Sequence, residues 1–174
     1  MSDGFQTLLN EPQLLARLSE ISRRFDDLSP AMLAIGEVLT ESTKVRFQTS
    51  SGPDGKAWAP NKVSTVLARI SQIKGAYQKD GRLSKKGAGA FIAKKPLVDT
   101  GLLADTINYQ LINGGNGVEI GTNRFAGEWT GGAAVHQFGN KKGTIPARPF
   151  LGISDSDRDD VLDILSRFAQ SAIS

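Results

Sequence analysis

Two prolines three positions apart, in Ile145-Pro146-Ala147-Arg148-Pro149-Phe150, constrain this chain more than any other stretch. Each fixes its own φ and drives the preceding residue into extended backbone. Ile145 to Phe150 is therefore expected to be a stiff, extended corner with Arg148 held between the prolines. A helix is expected immediately after it, because Ser154-x-x-Asp157 is a capping pattern. Asp155, Asp157, Asp159 and Asp160 fall where the positive end of that helix favours negative charge. Val161, Ile164, Leu165, Phe168 and Ala172 supply its buried stripe. Just upstream, Ala133 to Phe138 predicts one helical turn, with the chain's single histidine, His136, near its C-terminal end.

The N-terminal third reads as two helices. Asn10-Glu11-Pro12-Gln13 is a helix start, followed by Leu14, Leu18, Ile21 and Phe25 at helical spacing and an end at Asp26-Asp27. Ser29-Pro30 opens a second helix, with Ser29 as cap and Pro30 at the first helical position. Met32, Ile35, Leu39 and Ser42, flanked by Val38 and Val45, give it one mostly apolar face as far as about Phe47. The two are expected to pack as an antiparallel pair. Ser50 to Gly55 is a turn by composition. Trp58 follows it, either as an anchor pinning the loop onto the core or as an exposed partner contact.

Ser64 to Lys74 predicts a short helix with Val66, Leu67 and Ile70 as its apolar side. Gly75 to Ala93 is basic and rich in Gly and Ala, with few large apolar residues to offset the entropy of ordering it. It is expected to be a mobile loop or arm. Thr100 can cap a short turn after Pro96-Leu97-Val98-Asp99. Ile107, Tyr109 and Leu111 alternate as a half-buried strand does. Asn113 to Gly117 is a turn that accepts positive φ, and Val118 to Gly121 returns. The segment 123–132 is a loop containing Trp129. The fold class expected is α+β. A small antiparallel sheet, made of a hairpin at about 106–122 and an extended strand at about 144–152, is flanked by the N-terminal helix pair and the C-terminal helix. The chain is expected to be a single domain, 1–174, with a mobile basic arm at about 75–95.

Charge is unevenly distributed. The net charge is +3, yet Lys56 to Lys95 holds ten Lys or Arg against one acid, Asp80, while the rest holds eleven against seventeen. A basic middle between acidic ends suits three roles: a solvated loop, a contact with nucleic acid, or a contact with the acidic parts of another copy. Tyr77 and Phe91 interleave the basic residues as in single-strand binders.

Catalysis finds few parts. With no cysteine there is no disulfide, thiolate metal site or cysteine nucleophile, and one histidine makes no two-histidine metal site. Gly-x-Ser-x-Gly is missing, and the Gly-rich stretches at 87–89 and 114–117 lack the Lys-Ser/Thr of a phosphate-binding loop. No apolar run reaches the ~20 residues of a membrane span, and the N-terminus has no basic-then-apolar signal pattern. No catalytic residue, metal ligand or cofactor is assigned, and synthesis in the cytoplasm is expected. His136 is read as a packed or hydrogen-bonding residue beside the corner rather than a general base. Arg148 is read as a subunit or partner contact, or as half of a salt bridge within the chain.

Five stretches in this order carry a resemblance. They are Phe47 with Gly52-Pro53-Asp54-Gly55-Lys56-Ala57-Trp58, Pro96-Leu97-Val98-Asp99-Thr100-Gly101-Leu102-Leu103, Val118-Glu119-Ile120-Gly121-Thr122, His136-Gln137-Phe138-Gly139, and Ile145-Pro146-Ala147-Arg148-Pro149-Phe150-Leu151-Gly152. Together they resemble the phage virion morphogenesis family of Mu-like tail completion and head–tail connector proteins, from roughly Asp26 onward. One departure is that Phe125-Ala126 stands where the family tends to carry Tyr-Ala. The resemblance implies a structural protein of a tailed phage or prophage, made in a bacterial cytoplasm and carried in the tail or neck of the virion. It would cap the head-proximal end of the tail and help join tail to head. Its implied partners are itself, as a ring and often a hexamer, the tail tube protein and the head or neck connectors. A basic loop facing the lumen would touch DNA without sequence preference. The alternative is a basic nucleic-acid-binding module of a phage or mobile element. The contact candidates are Trp58, Lys85, Lys86, Lys94, Lys95, His136, Gln137, Phe138, Arg148 and Phe150.

Overall fold

A 21-residue helix, α2 (Ser29–Thr49), is the axle of the fold. In the computed structural model, which describes residues 12–123 and 132–173, it is preceded by α1 (Pro12–Asp26). It is followed by α3 (Val63–Ile70), α4 (Lys85–Ala93), α5 (Leu102–Asp105), the strands β1 (Ile107–Ile112) and β2 (Gly117–Thr122), α6 (Gly132–Phe138) and α7 (Asp155–Ile173). The architecture is α+β, with helices flanking a two-stranded antiparallel sheet. The expected start at Asn10, the pair Phe125-Ala126 and Trp129 lie outside the described residues.

One side of α2 holds the hairpin and another holds α7. Its buried positions are Ala31, Ile35, Gly36, Leu39, Thr40, Thr43, Arg46 and Phe47, a stripe at helical spacing. Val45, expected on that face, is exposed instead. Ala31, Ile35 and Leu39 pack with Ile164 of α7, and Val161, Leu165 and Phe168 close the cluster as the acidic-start helix predicts. Burying Ile and Leu side chains such as these stabilises by roughly 1.5–3 kcal/mol each. The α1 helix packs on α7 more than on α2, so the expected N-terminal pair is replaced by a contact through α7. The Phe25 ring meets the Phe168 ring edge-on at 6.2 Å. Ser29 proves to be the first helical residue rather than the cap; its N–H is satisfied by Asp27 Oδ1 at 3.0 Å.

The hairpin forms in the expected place, registered from Ile107 opposite Thr122 to Ile112 opposite Gly117. Tyr109 lies flat over Gly36 of α2, where any side chain would collide with its ring. The expected strand at 144–152 is not part of this sheet: the segment is extended around its prolines but pairs with neither strand. Its hydrogen bonds go to α6, α2 and the 50–60 loop instead.

Gly75 to Ala93 is also more structured than its composition suggests. Tyr77 bridges Leu83 across a tight turn, and Ser84 caps α4 by accepting from the Gly87 N–H at 3.1 Å. Val66, Ile70 and Ala76 form a separate small core, covered by Ile73, Leu83, Ala90 and Phe91. The missing large residues are offset by closeness. Gly87 lets α4 sit directly on the Ala76 backbone, where a Cβ would not fit.

Candidate functional site

Three parts of the chain converge on the double-proline corner. The first is α6, which runs alongside it. The chain leaves α6 at Gly139, whose φ of +77° and closeness to Ala147 both disfavour a side chain. Asn140 Oδ1 accepts from the Ile145 N–H at 2.9 Å, closing the basic turn of Lys141 and Lys142. The Arg148 N–H then donates to the His136 carbonyl at 2.7 Å. The Gln137 side chain completes the clamp. Its Oε1 accepts from the N–H groups of Phe150 and Leu151, each at 3.0 Å, and its Nε2 donates to the Leu151 carbonyl at 2.9 Å.

The 50–60 loop is the second part. Trp58 Nε1 donates to the Pro149 carbonyl at 2.8 Å. Arg148 returns the tie, with Nε on the Ala59 carbonyl at 2.7 Å and Nη2 on the Pro60 carbonyl at 2.9 Å. The rings of Trp58 and Phe150 each pack on Phe47, with centroids 5.4 Å apart in both cases.

The third part is the end of α2. Arg46 Nη1 donates to the carbonyls of Phe150 at 2.9 Å and Gly152 at 2.8 Å, and Nη2 pairs with the Asp157 carboxylate. Asp157 also accepts from the Ser154 N–H at 2.7 Å, while the Asp157 N–H donates to Ser154 Oγ at 3.1 Å. The capping box read from the sequence is therefore joined to a buried arginine. Burial alone would raise the Asp157 pKa; bonds from Ser42 and Ser154 and the Arg46 charge outweigh it and hold the carboxyl below its usual range.

Beside this brace lies a groove of about 620 Å³, open between α3, the Lys94–Asp99 segment and Ile145-Pro146. Lys62, Arg69, Lys94, Lys95 and Arg148 line it, against a single acid, Asp99. Asp99 takes Lys94 at 2.6 Å and Arg69 at 2.9 Å. The hydrogen bond from Lys94 is the main cause of its lowered pKa, with the two positive charges assisting. His136 faces the same groove, and its Nδ1 is buried without a hydrogen-bond partner. Burial first, and then the Arg148 charge, push the imidazole pKa down.

The sequence candidates separate into groups. Lys94, Lys95, His136 and Arg148 meet at the groove. Lys85 and Lys86 do not; they stand exposed on α4, with Lys86 Nζ donating to the Lys74 carbonyl at 2.9 Å. Trp58 at 6% and Phe150 at 0% exposure are packed inside the chain, which matches the anchor reading of Trp58, while Arg148, 6% exposed, reaches the surface only where it lines the groove. Trp58 and Phe150 fill the core, and Arg148 bonds backbone carbonyls rather than a carboxylate. Gln137 is an internal clamp, whereas Phe138 projects, 78% exposed. Sequence reasoning passed over Lys62, Arg69 and Asp99, which topology alone assembles. It also passed over Arg46, whose signal was an arginine on the buried stripe of α2. Among the described residues, no group of three or more His, Asp or Glu is placed to hold a metal, and no helix is long and apolar enough to cross a membrane.

Residues 9–169 match the family model described as the phage virion morphogenesis family. The chain is also similar to Mu-like prophage FluMu G protein 2 of Haemophilus influenzae, at 39% identity over 83 residues. That alignment covers 45% of this chain and 54% of the relative, so the chain spans about half the length of the curated protein it matches. No solved structure matches.

Proposed function

The chain belongs to the phage virion morphogenesis family, and from that premise we propose that it completes the head-proximal end of a phage or prophage tail and joins tail to head. The reading is carried by the extent of the match. It takes in α2, the hairpin, the braced corner and α7 as far as residue 169, and so covers nearly all of the described fold. In this reading the protein is structural rather than catalytic and resides in the tail or neck of the virion. It acts as a ring, in contact with the tail tube on one side and head or neck connectors on the other.

The braced corner suits such a part. A piece held between two assemblies has to keep a fixed geometry under load. Here α2, the 50–60 loop, α6 and the start of α7 are tied to one proline-stiffened segment by hydrogen bonds and a buried ion pair. Polar networks that are fully satisfied rigidify a site.

Electron microscopy of particles assembled without the protein tests the proposal. Unjoined heads and tails of abnormal length are expected. Tails of normal length that still join heads would overturn it. The second reading, a basic nucleic-acid-binding module, is favoured by the excess of cations from Lys56 to Lys95. It requires DNA affinity that falls steeply with salt.

A further inference from the structure

We infer that the groove beside the corner receives the acidic start of α7 from a second copy of this chain. This rests on the self-assembly included in the proposed function and names the surfaces that would carry it.

The groove asks for negative charge. It presents five cations and one acid, and Asp99 is already shared between Lys94 and Arg69. Arg148 is the telling residue. It is 6% exposed, its guanidinium bonds only the neutral carbonyls of Ala59 and Pro60, and no carboxylate among the described residues reaches it. Buried charges are ordinarily paired, because neutral acceptors return only part of the lost hydration. Next to it, His136 Nδ1 is buried with no partner. Two buried polar groups in one groove are thus left short of a partner within the chain.

The same chain displays carboxylates that complement the charge of the groove. Of the carboxylates on the first turns of α7, Asp157 turns inward to Arg46 and Asp163 pairs with Arg167 at 2.7 Å. Asp155, Asp159 and Asp160 remain exposed, at spacings that place them on one side of the helix. Asp155 is held only by a surface contact with Arg158. No α7 residue lines the groove of its own chain, so the pairing runs from one copy to the next. Such a head-to-tail contact closes into a ring when its rotation allows.

Light scattering and sedimentation of the full chain test this over a range of protein and salt concentrations. Self-association that rises with protein concentration and falls with salt is expected. A groove variant, Lys62→Glu with Arg69→Glu, and a helix variant, Asp159→Lys with Asp160→Lys, should each remain monomeric. Mixed in equal amounts they should associate again, because the reversed groove then meets the reversed helix. All four positions are exposed, and circular dichroism with thermal melting checks that both variants stay folded. Four outcomes overturn the inference: wild-type protein monomeric throughout, association indifferent to either reversal, no recovery on mixing, or a groove that instead binds a duplex DNA probe without self-association. The proposed function fails separately, if tails lacking the protein still join heads. Association that survives the reversals removes the inference and leaves that function standing.

Discussion

Arg46 of α2 and Asp157 of α7 form an ion pair inside the fold, with side chains 6% and 2% exposed. The arginine's other guanidinium nitrogen holds the backbone just past the double-proline corner, so one side chain fixes α2, the corner and α7 together. Replacing one partner leaves the other charge buried and alone. Asp157→Asn is expected to cost about 3–5 kcal/mol. For a chain of this size that corresponds to a melting temperature lower by roughly 10 °C. Urea and thermal unfolding check it, and a loss within ~1 kcal/mol would mean the pair contributes little.

Acid acts first on His136 and then on the lowered carboxyls, of which Asp157 is the buried one. The His136 pKa is lowered in the fold, so the unfolded chain protonates first, near the ordinary value of 6.5. Stability from this residue is complete above that pH and declines as pH falls toward the lower folded value. Asp157 is likewise lowered, so its contribution is present above the ordinary carboxyl value of 3.8 and is lost between there and its lower folded value. Melting followed against pH should show a shallow decline below about 6.5 and a steeper one below about 4. His136→Gln should remove the first and keep the second.

Gln137 is expected to matter for stability rather than for contact. Truncation to Ala orphans the N–H groups of Phe150 and Leu151 and the Leu151 carbonyl. At about 1–3 kcal/mol for each buried group left unpaired, partly relieved by solvent, Gln137→Ala should cost roughly 2–4 kcal/mol. Amide exchange at Phe150 and Leu151 should quicken more than at residues along α2. Unchanged exchange there would show that the clamp is dispensable.

Gly36→Ala tests the seat of the hairpin. Helix propensity alone would make the change favourable by ~1 kcal/mol. The new methyl would instead run into the Tyr109 ring and push β1 off α2, and overpacking of that kind costs about 1–3 kcal/mol. A net loss is expected, and the double variant Gly36→Ala with Tyr109→Ala should recover part of the overpacking component. A stabilised single variant would place Tyr109 elsewhere.

Local signals in the sequence carried the hairpin, α2, α3 and the capped start of α7, because spacing, turn composition and the Ser154–Asp157 box each act within a few residues. Other features depend on distant neighbours. The 144–152 segment has strand-like extension, but extension does not disclose which groups satisfy its backbone. Here they are side chains of Gln137, Trp58 and Arg46 rather than another strand. Arg148 read as a cation seeking an acid, and its acceptors are two backbone carbonyls without any sequence signature. The Gly- and Ala-rich stretch offered few large apolar residues to order it, yet Gly87 is what allows α4 to lie against Ala76. The groove was legible as an excess of charge between residues 56 and 95 but not as a place, since His136 and Arg148 join it from the far end of the chain.

The position of Arg46 also sets an order of events on the ribosome. Its partners Phe150, Gly152 and Asp157 lie 104, 106 and 111 residues downstream. At ~5–20 residues per second, α2 leaves the ribosome roughly 5–20 seconds before the residues that neutralise its buried arginine. A nascent chain stopped anywhere short of Asp157 leaves the Arg46 guanidinium without its carboxylate on the face that α2 buries. The last turn of the fold to be made, the start of α7, is thus the one that closes the buried face of the second helix.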